Sequence, residues 1–229
     1  MGRAIALRLA DEGASVLAVD VDTARLDETR AKDTRLSVRQ VDVADPDACA
    51  GAVAAAVEEF GRLDVLGNVA GIYLAGHFTD MTVEQYRRIM AVNLDGYFFL
   101  AQAAIPHLLE SNGNIVNIAS NSGIQGIPYS AAYSASKGGV VQLTRSLAVE
   151  YLKQPLRVNA IAPAGTNTNI ASSTQFPPDV DGDLMMRMAG HRGMAEPEDV
   201  AALFAFLASD EAAAVTGAVY TLDHGLTAS

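Results

Sequence analysis

The chain has 229 residues, half of them hydrophobic, and a net charge of −11. This length suits one α/β domain with a sizeable core, and the acidity argues against the basic face of a nucleic-acid-binding protein. Cys49 is the single cysteine, which excludes an internal disulfide and fits a reducing cytoplasm. Charges or glycines interrupt every long apolar stretch and the four histidines are scattered, so we expect neither a transmembrane span nor a metal site.

Helical and strand patterns alternate along the whole chain, which predicts a parallel sheet covered by helices on both faces. Asp22 and Asp45 are placed to cap helices, and Thr82 with Gln85 forms a capping box. The predicted helices cover residues 2–12, 23–32, 82–109, 132–152 and 197–208, and a further alanine-rich helix opens at Asp45-Pro46. The predicted strands cover residues 15–20, 36–41, 63–69, 114–119, 156–163 and 218–222.

Residues 164–195 fit neither pattern. The segment is polar, contains Pro177-Pro178 and several glycines, and is long for a loop, which favours a mobile substrate lid. Its apolar side chains could face a partly apolar substrate or could equally be packing residues; they are Phe176, Met185, Met186 and Met188. Since we find no repeat or linker, residues 1–229 are interpreted as a single dinucleotide-binding and catalytic domain that includes this lid.

The residues best suited to chemistry lie around one predicted helix. Tyr133 and Lys137 are four residues apart and share a helix face. An ammonium group beside a phenol lowers the pKa of the phenol, which makes the tyrosine a better general acid and base. Ser120 ends the preceding strand, where parallel sheets form their ligand crevice, and could hold a substrate oxygen. The amide of Asn93 lies mid-helix, where by itself it could simply bend the helix or bind water.

A Tyr-x3-Lys pair alone is weak evidence, because roughly one chain of this composition in ten has it by chance. The order and spacing of several segments together, however, resemble the short-chain dehydrogenase/reductase family, in its 3-oxoacyl reductase-like branch, over nearly the whole length. The segments are Asn68-Val69-Ala70-Gly71, Val92-Asn93, Ser120-x12-Tyr133-x3-Lys137, Arg157 to Pro163, and Thr216-Gly217.

The resemblance implies a doubly wound parallel sheet of Rossmann type in three α/β/α layers. It also implies an NAD(P)-dependent oxidoreductase that moves a hydride between the cofactor and a ketone or secondary alcohol. By this resemblance Tyr133 is the general acid/base, and Ser120 polarises the substrate oxygen. Lys137 binds ribose and tunes Tyr133, while Asn93 holds a water that links Lys137 to solvent.

Asp20 indicates the choice of cofactor. A carboxylate at this strand end can accept both ribose hydroxyls and repels a 2′-phosphate, which favours NAD over NADP. Asp20 could instead cap the next helix, but Asp22 is better placed to do so. Asp42-Val43 resembles the pair of residues that contacts adenine in the family. From the residues alone, Asp42 could equally serve only to stabilise a turn. The remaining contacts implied by the resemblance are Gly2, Asn68, Ala70, Gly71, Tyr133, Lys137, Pro163, Thr166 and Thr168.

The start of the sequence departs from the family pattern of a strand followed by Thr-Gly-x3-Gly-x-Gly. Gly2 matches the last glycine of that turn, so the first strand is expected to be missing, leaving the strands that end at Asp20 and Val69 without a shared partner. The recorded start could lie downstream of the true one, the first residues could have been lost, or the chain could be a degenerate relative.

Two further expectations follow. The resemblance implies a homotetramer assembled through the helices over 82–109 and 132–152 and the C-terminal segment. The alternative to an enzyme is a truncated or degenerate scaffold that binds cofactor poorly. The intact Asn93, Ser120, Tyr133 and Lys137 argue against this alternative, and the missing glycine turn argues for it.

Overall fold

The computed structural model describes residues 1–186, 188 and 192–228. Six parallel strands lie in these ranges: β1 (Leu17–Asp20), β2 (Ser37–Gln40), β3 (Val65–Asn68), β4 (Asn114–Ile118), β5 (Arg157–Pro163) and β6 (Val219–Leu222). The helices are α1 (Gly2–Asp11), α2 (Thr23–Lys32), α3 (Pro46–Phe60), α4 (Val83–Met90), α5 (Gly96–Ser111), α6 (Ala131–Glu150), α7 (Asn169–Ser173), α8 (Gly182–Met186) and α9 (Pro197–Ala208).

The helices begin where the sequence provides caps. The Asp22 carboxylate accepts the backbone N–H of Arg25, and the Asp45 carboxylate accepts two N–H groups at the start of α3. Thr82 and Gln85 form the reciprocal capping box of α4. Since an uncapped helix end leaves N–H groups without partners, these side chains fix the starts of the helices as predicted.

Helices pack on both faces of the strands and complete three layers. On one face, α3 and α5 enclose a core with side chains from β4 and β5 that includes Cys49, Leu108 and Ile115. On the other face, α1 and α9 pack against Val116 and Ile161. The predicted Rossmann-like fold, doubly wound and parallel, is therefore confirmed.

The strands form two sheets, one of β1 and β2 and one of four strands in the order β3-β4-β5-β6. All pairings in both are parallel. No ladder joins β1 to β3 among the described residues. Val19 of β1 and Leu66 of β3 nevertheless pack against the same core. The break lies where the sequence predicted a missing strand.

Helices α4 and α5 continue into one another through a π-helix, Ala91–Asp95. By length and composition, the combined helix Val83–Ser111 could cross a membrane, in contrast to our expectation of no such span. Half of its most apolar stretch is buried inside the fold, as in the core helix of a globular protein. The buried apolar residues of this helix pack against α3, α6 and the sheet.

The segment proposed as a lid is more ordered than its composition suggests, since it contains α7 and α8. Its two ends are joined by a parallel bridge between Thr166 and Ala195, where the Ala195 N–H donates to the Gly165 carbonyl at 2.9 Å. Residues 187 and 189–191 of this segment, and with them His191, lie outside the described residues.

Candidate active site

The predicted site residues lie at one edge of the sheets. Asp20 ends β1, Asn68 ends β3 and Pro163 ends β5, while Asp42 and Ser120 follow β2 and β4 within two residues. Because all strands are parallel, their carboxyl ends lie at the same edge and form a crevice there.

Lys137 lies on α6 with a side chain only 3% exposed. Its Nζ donates hydrogen bonds to the Ile118 carbonyl at 2.7 Å and to the Tyr97 hydroxyl at 3.3 Å. Burial lowers the pKa of Lys137 to about 7, because an ammonium group loses hydration inside the protein. The amine can therefore exchange a proton near neutral pH.

Tyr133, one turn earlier on α6, is also buried. Burial raises the pKa of Tyr133 to about 12, and hydrogen bonding to Ser120 offsets part of this effect. Our expectation of a lowered tyrosine pKa was therefore wrong. The physical reason is that desolvation dominates, and that the hydrogen bonds of the Lys137 ammonium are directed to Tyr97 and Ile118.

Ser120 is the centre of a small hydroxyl network. Its Oγ accepts hydrogen bonds from the Ser122 hydroxyl at 2.9 Å and from the Ser122 N–H at 3.2 Å. It donates to the Asn121 side-chain oxygen at 3.2 Å. These contacts hold the serine at the carboxyl end of β4, where its hydroxyl also interacts with Tyr133. Sequence reasoning missed Ser122, although its position two residues after Ser120 was a usable signal.

Asn93 lies in the π-helix and is fully buried. Its amide nitrogen donates to the Ile72 carbonyl at 2.9 Å and to the Ser136 hydroxyl at 3.1 Å, and its oxygen accepts the Ile72 N–H at 2.8 Å. The amide therefore fastens the loop after β3 to α6. A π-helix inside a longer helix commonly marks a functional site, which accounts for a polar amide at mid-helix.

An aromatic group borders Tyr133. The Tyr73 ring stands edge-on to the Tyr133 ring at a centroid distance of 4.7 Å, and Phe176 of the lid lies 6.3 Å from Tyr73. The Tyr73 hydroxyl is hydrogen-bonded to Ser130 at 2.5 Å. Sequence analysis named Phe176 but missed Tyr73, because the loop that carries it has no periodic pattern. This apolar wall suits a substrate with an aliphatic or ring portion.

The segment proposed as a lid is attached to the loops after β3 and β4 by polar contacts. His77 Nε2 lies 2.9 Å from the Asp179 carboxylate, and the Asp181 N–H donates to the Tyr129 hydroxyl at 2.8 Å. The rings of His77 and Tyr129 stand edge-on at 5.4 Å. These contacts hold the segment that carries Phe176 over the crevice.

The two aspartates predicted to contact adenosine differ in their surroundings. Asp20 is exposed and accepts the Asp22 N–H at 3.0 Å, while Asp22 is the residue that caps α2. Asp42 accepts the Ala44 N–H at 3.0 Å and pairs with Arg88 at 3.2 Å. Both carboxylates accept the N–H two residues on, and Asp42 differs from Asp20 by its ion pair with Arg88.

The remaining predicted contacts lie near this edge. Asn68 donates to Asn117 at 2.9 Å, and its buried Oδ1 has no hydrogen-bond partner among the described residues. A Cβ added at Gly71 would lie 3.6 Å from Lys137 Nζ, so this glycine leaves the amine accessible. Thr166 and Thr168 donate to backbone carbonyls of the loop after Pro163, while Val43 is buried beneath the edge and Ala70 precedes Gly71.

The Lys137 amine and the Asp20 carboxylate are groups that can hold ribose hydroxyls, and both belong to the carboxyl-terminal edge of the strands. For the phosphates, the matching element is the start of α1, where Gly2 packs near Val69. Within the residues that the structure covers, no group of three or more His, Cys, Asp or Glu side chains could hold a metal ion.

The sequence and the structure of this chain match known proteins over nearly the whole of its 229 residues. A family described as Enoyl-(Acyl carrier protein) reductase matches residues 1–227. The chain is 39% identical to meso-2,3-butanediol dehydrogenase of Serratia marcescens, with 100% of this chain and 91% of the relative covered. It is 36% identical to 3-oxoacyl-(acyl-carrier-protein) reductase of Thermotoga maritima, with 99% and 93% covered. The crystal structure of levodione reductase superposes with a TM-score of 0.90 at 33% identity, with 100% and 93% covered.

Proposed function

The chain belongs to the short-chain dehydrogenase/reductase family, whose members use nicotinamide cofactors to oxidise alcohols or reduce ketones, and we propose that it does so with Tyr133 as general acid/base and NAD(H) as cofactor. The observation that carries this proposal is the meeting of Ser120, Tyr133 and Lys137 at the carboxyl end of β4. The three comparison proteins are named as dehydrogenases or reductases, so nothing favours the alternative of a scaffold.

The cofactor supplies or accepts the hydride at the substrate carbon. In the reduction direction, Ser120 donates a hydrogen bond to the carbonyl oxygen, and Tyr133 transfers its phenolic proton to that oxygen as negative charge develops. Lys137 stabilises the resulting phenolate and holds a ribose hydroxyl. In the oxidation direction, the tyrosinate accepts the alcohol proton. The protein contributes position and electrostatic stabilisation of the oxyanion.

Asp20 supports NAD over NADP, because an exposed carboxylate at the end of β1 can accept ribose hydroxyls and repels a 2′-phosphate. The substrate we propose is a small ketone or secondary alcohol with an apolar portion that contacts Tyr73 and Phe176. Residues 1–229 would act as one domain, with residues 164–195 as the lid over this substrate.

We propose further that the protein is a cytoplasmic homotetramer. Its buried, unpaired Cys49 suits a reducing compartment. Several apolar residues on the proposed interface helices are exposed. Their exposed fractions are 47% for Phe98, 71% for Val149 and 68% for Leu152. Burial of these side chains between subunits would remove apolar surface from water.

The test is the Tyr133→Phe variant, which keeps the ring and removes the transferable proton. We expect turnover of secondary alcohols, including 2,3-butanediol, to fall by roughly 10²–10⁴-fold while NADH binding is retained. NADH formation is followed by absorbance. The matched control is Tyr151→Phe at the far end of α6, which should keep wild-type turnover; an unchanged rate in Tyr133→Phe rules out the acid/base role.

A further inference from the structure

Tyr97 is a fully buried tyrosine that the predicted chemistry does not use. It lies in the first turn of α5, directly after the π-helix, and is 1% exposed. Its ring packs among small side chains of β5 and the residue after β4, Ala119, Ala160 and Ala162. Since a buried hydroxyl costs free energy without hydrogen bonds, its partners are informative.

The Tyr97 hydroxyl forms a triangle with Lys137 and the Ile118 carbonyl. It donates to that carbonyl at 3.2 Å and accepts a hydrogen bond from Lys137 Nζ at 3.3 Å, while Nζ also donates to the carbonyl at 2.7 Å. The amine also lies 4.9 Å from the centroid of the Tyr97 ring, a cation–π distance. Tyr97 thus meets the amine with both its hydroxyl and its ring.

We propose that Tyr97 is a positioning residue that keeps Lys137 protonated and fixed in the crevice. An ammonium group has three N–H donors, and two of them are directed to Ile118 and Tyr97. The remaining donor is available for a ribose hydroxyl. The inference rests on the proposed role of Lys137 beside Tyr133.

Tyr97 is well suited to this task because it stays neutral. Burial, with the nearby Tyr133 phenol, holds the pKa of Tyr97 well above its usual value, so the hydroxyl remains a hydrogen-bond acceptor at working pH. The ionisable group in contact with the amine is the phenol of Tyr97, and the Tyr133 phenol, with Tyr73 against its ring, lies near Tyr97. Within the described residues, Lys137 has no carboxylate partner, so these neutral contacts and the Ile118 carbonyl are what oppose its desolvation.

The first test measures the protonation of Lys137 without catalysis. The chain has three lysines, so NMR of isotope-labelled lysine side chains gives few signals, and Lys32→Arg and Lys153→Arg identify the other two. In the Tyr97→Phe variant the pKa of Lys137 should fall by about one pH unit, because a hydrogen bond to the charged form is lost. Tyr151→Phe is the control and should leave the titration unchanged.

The second test is the pH profile of alcohol oxidation by Tyr97→Phe. With fewer molecules in the ammonium–tyrosinate state, kcat should fall about tenfold near neutral pH. The deficit should be full at alkaline pH and should narrow at acidic pH, where Lys137 is protonated in both proteins. A purely structural role would lower the rate by one factor at every pH.

An unchanged or raised pKa of Lys137 in Tyr97→Phe overturns the inference, as does an equal rate deficit at all pH values. If the wild-type protein turns over no alcohol or ketone while the pKa of Lys137 still falls in the variant, the contact between Tyr97 and Lys137 stands and the proposed function fails. Circular dichroism and the thermal midpoint confirm that the variant is folded.

Discussion

At the scale of single residues, burial sets the chemistry of the site. It moves the pKa of Tyr133 up and the pKa of Lys137 down, so burial favours the neutral form of each group. The charged pair needed for alcohol oxidation therefore depends on contacts that stabilise the ammonium and the phenolate. Sequence spacing placed the two side chains together, but desolvation is a property of the packed molecule.

Asp20 carries a prediction at this scale. We expect NADH to bind more tightly than NADPH, and we expect Asp20→Asn to reduce that preference by roughly 10- to 100-fold, because hydrogen bonds to a charged acceptor and repulsion of the 2′-phosphate are lost. Fluorescence titration with each cofactor measures the preference.

The matched control for this prediction is Asp22→Asn. Asparagine also caps helices well, so the start of α2 is retained. The preference for NADH over NADPH should therefore not change. A wild-type protein that prefers NADPH would contradict the assignment of Asp20 as the selecting residue.

At the scale of secondary-structure elements, the sequence predicted most helices and strands within about two residues, since caps and apolar periodicity are local. Two features escaped it. The predicted helix over 82–109 contains a π-helix around Asn93, and the segment over 164–195 contains α7 and α8. Both depend on distant partners, namely Ile72 for Asn93 and the His77–Tyr129 pair for the lid.

We predict that the contact between His77 and Asp179 makes the attachment of the proposed lid depend on pH. The Asp179 carboxylate, with a smaller effect from Asp80, raises the pKa of His77, and His77 lowers the pKa of Asp179. The contact is therefore complete at mildly acidic pH, weakens as pH rises through the raised pKa of His77, and weakens again as pH falls through the lowered pKa of Asp179.

Hydrogen exchange of the lid backbone, corrected for intrinsic rates, should show more protection around Asp179 at pH about 6 than at pH about 8. His77→Gln should remove this pH dependence, whereas His107→Gln, a change of the same kind on α5, should preserve it. If the lid is equally protected at both pH values in the wild-type protein, the contact does not control closure.

At the scale of the whole molecule, the main feature is the division of the described strands into two sheets, with no ladder between β1 and β3. The backbone N–H and C=O groups of successive residues point alternately to the two sides of a strand. The Asp20 carbonyl accepts the Val41 N–H on the β2 side, and the Asp64 carbonyl accepts the Asn114 N–H on the β4 side. The amides of alternate residues in β1 and β3 therefore point into the break between the sheets. Packing of the helices on both faces holds the two sheets in one molecule.

We predict that the amides of Leu17, Val19, Val65 and Gly67 exchange with solvent much faster than that of Val116 in the fully paired strand β4. Residue-resolved hydrogen exchange by NMR makes the comparison within one sample. The neighbouring amides that face β2 or β4 serve as internal controls. Equal protection on both sides of β1 and β3 would mean that the break is closed in solution.

The sequence by itself determined the family, the order of the elements and the grouping of Ser120, Tyr133 and Lys137, because capping, periodicity and motif spacing are written in consecutive residues. It also predicted that the strands ending at Asp20 and Val69 would lack a shared partner, and no ladder joins β1 to β3 among the described residues. The tertiary structure decided the ionisation of Tyr133 and Lys137, the contact of Tyr97 with Lys137 and the attachment of the lid. These properties arise from desolvation and from contacts between residues far apart in the chain, which appear when the layers pack.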